Sequence, residues 1–161
     1  MPCELILLRH GHRPSGPDHI NDTGLSERGQ SQAEAIATYY ATNYDCNQPV
    51  HIATSPARRC QETVAPLARI LKQPALVDND LNEGQAGEDG AMFIMRMERF
   101  LDTCRHGPHS RIIACSHVDW IPHFVHLFAG ADVFPGTGCW IRLGVDDTGV
   151  SLLEVQQELS V

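Results

Sequence analysis

Arg9, His10, His12 and Arg13 crowd into five consecutive positions around Gly11, in the stretch ELILLRHGHRP. Like charges this close repel unless an anion lies among them or the imidazoles stay neutral. A guanidinium is a forked donor matched to an oxyanion. Residue types and spacing therefore suit an anion held among these cations. The bulk charge sharpens the point. Net charge is −8, from 12 Lys+Arg and 20 Asp+Glu with nine His counted neutral. An acidic chain that gathers its cations in one short segment builds a local anion site. The same balance disfavours nucleic acid as a general partner, since phosphate backbones need a basic face.

The elements that must position these residues follow from pattern. The 161 residues suit one domain, 1–161, with a sizeable core. No apolar run approaches the roughly 20 residues of a membrane helix, and MPCEL at the start has no basic leader segment, so the expected setting is cytoplasmic. Six dispersed cysteines with no CxxC read as free thiols. Residues 3–9 read as a strand, 12–24 as a loop rich in Pro, Gly and Asp/Asn, and 26–43 as a helix with Ala33, Ile36, Ala37 and Tyr40 on its apolar stripe. A second strand spans 50–54. Ser55 is then expected to cap a helix with Pro56 in its first position, kinked or split at Pro66 before ending near 72. Residues 74–81 form a weak strand and 83–90 a glycine-rich loop. Residues 91–104 form a helix with Phe93, Met97, Phe100, Leu101 and Cys104 on one face, followed by an apolar central strand at 111–116 and a helix at 119–130. The segment 138–158 closes as two strands joined at DDTG. The alternation argues an α/β three-layer sandwich, a largely parallel sheet flanked by helices with a C-terminal antiparallel hairpin at its edge.

In such folds ligands bind beyond the carboxyl ends of the strands. The first strand ends at RHGHR, the second at TSPARRCQET with a helix N-terminus, the third at DLNEG and the fourth at SHVDW. Arg9, His10, Arg13, Arg59, Glu83 and His117 are thereby presented to one place. Arginines, two histidines and a carboxylate together make a phosphate site with an acid catalyst. The remaining histidines, His106, His109, His123 and His126, lack a matching Cys or carboxylate cluster, so no metal site is expected.

Five segments, LLRHG, GLSERGQSQA, TSPARRCQETV, SHVDW and GCWIRL, in that order over nearly the whole chain, resemble the histidine phosphatase superfamily, also called phosphoglycerate mutase-like. The acid phosphatase branch fits less well. Its RHGxRxP pattern meets Ser15 where proline is expected, and no aspartate directly follows His117. The resemblance therefore points to the small mutase-like branch. It implies a phosphohistidine intermediate on His10, a cradle of Arg9 and Arg59, and His117 as a further donor to the phosphoryl group. Glu83 would be the acid, with Glu88 and Asp89 as neighbouring alternatives. Arg13, Gly11, His12 and Val118 would contact substrate, Val118 standing where many members carry glycine. No metal and no cofactor are implied. The expected partner is a phosphorylated small molecule or a phosphoprotein, phosphohistidine proteins included, with oligomeric state left open. Mutase-type phosphoryl transfer and a non-catalytic phosphate-binding module are the alternatives.

Overall fold

The computed structural model describes residues 2–159. The elements run β1 (Cys3–Arg9), α1 (Pro17–Ile20), α2 (Glu27–Asn43), β2 (His51–Thr54), α3 (Arg58–Leu71) and β3 (Ala75–Val77). A 3-10 turn (Asn79–Leu81) leads to α4 (Gly90–His106), β4 (Arg111–Ser116), α5 (Trp120–Ala129), β5 (Trp140–Asp146) and β6 (Gly149–Gln156). All six strands join one sheet in the order β3-β2-β4-β1-β5-β6. The first four are parallel, and β5 and β6 are antiparallel at the edge. The α/β sandwich with a terminal antiparallel pair is the expected fold.

Alternation along β1 explains the three layers. Leu5 and Leu7 face a core with Phe100, Trp120 and Phe124 from α4 and α5. Ile6 and Leu8 face the opposite core, with Ile36 and Tyr40 from α2 and Val64 and Leu67 from α3. Successive strand residues point to opposite faces, so a run that is apolar at every position is a strand covered on both sides. The register then brings the strand ends together: Arg9 lies beside Ser116, and Thr54 lies beside both Cys115 and Val77.

Several local expectations are corrected. Helix α3 starts at Arg58, so Pro56 precedes it, and its N-cap is Ala57 with no side-chain cap bond. Ser55 is drawn away because its hydroxyl meets the His117 ring at 2.7 Å. Pro66 does not split α3, which continues to Leu71 with Pro66, Val64, Leu67 and Leu71 buried. Burial of that face outweighs the lost backbone bond. The stretch 74–81 divides because the Asp78 side chain accepts from the Asp80 N–H at 2.9 Å and starts the 3-10 turn. One helical turn, α1, lies within the expected 12–24 loop. All six cysteines are free, and no helix among the described residues is long and apolar enough to cross a membrane.

The loop after β1 crosses the start of α2 at close range. The Ser26 N–H donates to the His12 carbonyl at 3.0 Å, the His12 N–H donates to Gln32 Oε1 at 2.7 Å, and the Ser26 hydroxyl accepts from the Gly29 N–H. Two glycines permit the approach: a Cβ on Gly11 would lie 2.9 Å from the Gly29 carbonyl, and one on Gly29 would lie 2.0 Å from the His12 carbonyl. Glycine to alanine in an exposed helix interior gains about 1 kcal/mol. Gly29→Ala is instead expected to cost about 1–3 kcal/mol through overpacking, read as a lowered urea midpoint. A raised midpoint would contradict this packing.

Candidate active site

Eight of the nine residues singled out from the sequence line one cleft of about 510 Å³: Arg9, His10, His12, Arg13, Arg59, Glu83, His117 and Val118. They come from the ends of β1 and β4 and the loops after them, from the first turn of α3, and from the turn after β3. Gly11 is not among them. Its N–H donates to Thr63 Oγ1 at 2.9 Å, and its place is in the contact with Gly29. A second cavity of about 500 Å³ adjoins the cleft, sharing Arg13, Arg59 and Glu83 and adding Asp22, Asn82 and Gln85.

His10 is 5% exposed, and its Nδ1 lies 2.9 Å from the Gly11 carbonyl. A carbonyl can only accept, so Nδ1 carries the hydrogen and Nε2 keeps the lone pair. Burial pushes the His10 pKa down from 6.5 to about 3. The Gly11 carbonyl works against that shift, and the charges of Arg59 and Arg9 reinforce it. The ring is therefore neutral near pH 7. His117 is the opposite tautomer. Arg59 Nη2 donates to its Nδ1 at 3.1 Å, which leaves Nε2–H to donate to Ser55 Oγ at 2.7 Å. The two rings meet edge-on with centroids 5.5 Å apart.

Arg59 is 4% exposed and bridges two carboxylates, Asp22 at 2.9 Å through Nη1 and Glu83 at 2.9 Å through Nη2. Burial pulls its pKa down, but the bond and charge of Glu83 and the charge of Asp22 outweigh burial and raise it. Arg9 donates to the Pro135 carbonyl at 2.8 Å, and burial lowers its pKa. Burial and the Arg59 charge also lower that of Arg13. The Nε atoms of Arg9 and Arg59 are buried with no hydrogen-bond partner. Both guanidiniums line the cleft, where forked N–H donors suit an oxyanion.

The alternative acids have other work. Glu88 is gripped by Arg96 at 2.6 and 2.9 Å, and that bond lowers its pKa. Asp89 caps α4 by accepting from the Met92 N–H at 2.8 Å. Glu83 remains as the carboxylate lining the cleft, with Oε2 at 3.8 Å from His117 Nδ1.

Four participants lay outside the sequence reading or were misjudged by it. Asp22 holds Arg59 from a left-handed backbone, φ 47°, and has no periodic signal. Ser55 partners His117 rather than capping a helix. Thr63 accepts from the Gly11 N–H and donates to the Arg59 carbonyl at 2.7 Å. Its place four residues after Arg59, on the same helix face, was a usable signal. Thr137 lines the cleft from a loop without local pattern.

Residues 5–89, more than half of the 161-residue chain, match the sequence profile of the histidine phosphatase superfamily (branch 1). The chain belongs to this superfamily. Its members are phosphatases or mutases. A glucosyl-3-phosphoglycerate phosphatase of Mycolicibacterium vanbaalenii is 30% identical over 123 residues, covering 74% of this chain and 50% of that protein. The transcription factor tau 55 kDa subunit of Saccharomyces cerevisiae is 36% identical over 89 residues, covering 49% of this chain and 20% of that protein. The matches thus span between a fifth and a half of these relatives' own lengths. Among solved structures, the protein histidine phosphatase SixA complexed with tungstate superposes with TM-score 0.73 at 15% identity, covering 95% of this chain and 96% of that one.

For this histidine phosphatase superfamily member, the lowered His10 pKa has a definite sign. As pH falls below 6.5 the unfolded chain takes up a proton at this position before the folded one, so the stability tied to the neutral ring is lost between about 6.5 and 3. Nitrogen NMR of the histidines is expected to show His10 protonated on Nδ1 alone from pH 8 down to about 4. A His10 signal titrating near 6.5 would overturn the assigned burial and tautomer.

Proposed function

We propose that the protein is a metal-independent phosphatase that hydrolyses phosphomonoesters through a covalent phosphohistidine on His10. The observation that carries this reading is the His10 tautomer. The Nε2 lone pair belongs to a ring kept neutral by burial, in a cleft walled by Arg9, Arg59 and His117.

The steps follow from these atoms. A phosphoryl dianion takes the guanidiniums of Arg9 and Arg59, with Arg13 at the mouth. Nε2 attacks phosphorus and the ester P–O bond breaks. The imidazole becomes cationic, and its Nδ1–H remains on the Gly11 carbonyl, which offsets that charge. Once the dianion shares Arg59 with Glu83, like charge favours the protonated carboxyl, which gives its proton to the leaving oxygen. Water then attacks the phosphohistidine, Glu83 takes the water proton, and inorganic phosphate leaves with His10 restored. Arg9 and Arg59 both line the cleft that holds His10, which supports the cradle assignment. A phosphate-binding module without turnover has no use for a neutral imidazole held in this tautomer.

The substrate class is a phosphorylated small molecule or a phosphoprotein. The second cavity beside Arg59 gives the leaving group room, and similarity to proteins named as a sugar-phosphoglycerate phosphatase and a protein histidine phosphatase supports that range. Six free thiols fit a reducing compartment such as the cytoplasm.

Hydrolysis of p-nitrophenyl phosphate in EDTA tests the reading. The native protein is expected to turn over, and His10→Ala to lose at least about 1,000-fold in kcat, as removal of a covalent nucleophile does. Comparable turnover by both proteins would sink the proposal.

A further inference from the structure

Arg96 is a buried cation that none of these steps uses. It projects from α4 with its side chain 11% exposed, paired with the equally buried Glu88, and its guanidinium carbon lies 4.9 Å from the Phe93 ring centre. Nε and Nη2 grip the Glu88 carboxylate at 2.6 and 2.9 Å. The remaining donors go to main chain. Nη1 meets the carbonyls of Asn79, Asp80 and Asn82 at 3.3, 3.0 and 2.9 Å, and Nη2 meets that of Glu83 at 3.2 Å. Four of the five consecutive carbonyls from 79 to 83 thus converge on one guanidinium. The fifth, Leu81, accepts from the Ser116 hydroxyl at 2.6 Å. The Asp80 carbonyl also accepts from Trp120 Nε1 at 2.7 Å and that of Asn79 from the Asn82 N–H at 3.2 Å, so Arg96 is the one group that ties all four together, and the Asn82 carbonyl loses its donor without it.

That turn ends on Glu83. The Glu83 side chain is 45% exposed and touches Arg59 and His117, so its reach is set by where the backbone at 82–83 lies. Gly84 on the far side is tied by its N–H to Asp119 at 2.8 Å. We propose that Arg96 is a positioning residue for the reaction: by gathering the carbonyls of residues 79, 80, 82 and 83 it holds the Glu83 carboxyl where the leaving oxygen needs its proton. This rests on the reading of Glu83 as the acid. Arginine is required because all five of its N–H groups are engaged in a fixed fork, whereas an ammonium has three donors and no plane.

A merely structural role would lower activity on every ester alike. A positioning role shows in the leaving group, because a phenolate with a nitro group departs readily without a proton and a plain phenolate much less so. The test compares kcat/KM on p-nitrophenyl phosphate and phenyl phosphate for the native protein, Arg96→Lys, Glu88→Gln and Glu83→Gln. Arg96→Lys and Glu83→Gln are both expected to lose about 10–100-fold on phenyl phosphate and less than about 3-fold on p-nitrophenyl phosphate. Glu88→Gln, which leaves Arg96 in place with a weakened grip, follows the same pattern to a smaller extent and carries the test if Arg96→Lys does not fold. Equal losses on both esters in the Arg96 and Glu88 variants, with the split intact in Glu83→Gln, overturn the positioning role. No split in Glu83→Gln overturns the acid assignment itself, and this inference with it.

Discussion

The hydrogen bond from His10 Nδ1 to the Gly11 carbonyl is the constraint on which the cleft depends. It turns the ring so that Nε2 alone holds the lone pair, and burial keeps the ring uncharged. The backbone around the bond is held by Thr63 on the Gly11 N–H, by Gln32 on the His12 N–H, and by the near contact of Gly11 with Gly29. Neither glycine can take a side chain without moving backbone. The glycine in the RHG stretch therefore serves packing, and through packing the orientation of its neighbour.

The second organising feature is the charge balance at Arg59. A guanidinium this buried is costly to hold unless paired. Asp22 and Glu83 pair it from two sides, and the His117 lone pair takes a further N–H. Those contacts prevent the site from repelling itself, with Arg9, Arg13 and Arg59 all around one cleft.

Much of this was legible in the sequence, for physical reasons that particular residues make plain. Leu5 to Leu8 and Ile112 to Cys115 are apolar at every position because both sheet faces are covered. The stripe of Ala33, Ile36, Ala37 and Tyr40 is the buried face of α2. Strand ends in a parallel sheet share one side, so Arg9, His10, Arg59 and His117 could be gathered before any coordinates. What escaped the sequence depends on tertiary partners. Ser55 looks like a cap until His117 claims its hydroxyl, and Pro66 looks like a break until its helix face is buried. Asp22 carries no pattern, because its role comes from a left-handed turn reaching Arg59. Arg96 did carry a signal. It sits three residues after Phe93 and one before Met97, inside the apolar stripe of α4, where a cation must have a buried partner.

The central claim is that phosphate passes through His10. The most direct measurement mixes native protein with excess phosphomonoester, quenches at alkaline pH within the first turnovers, and locates any bound phosphate by mass spectrometry of the peptides. The account predicts an adduct on His10, on Nε2 of the ring, that disappears as substrate is exhausted. Turnover with no adduct, or an adduct on His117 or any other residue, would contradict it.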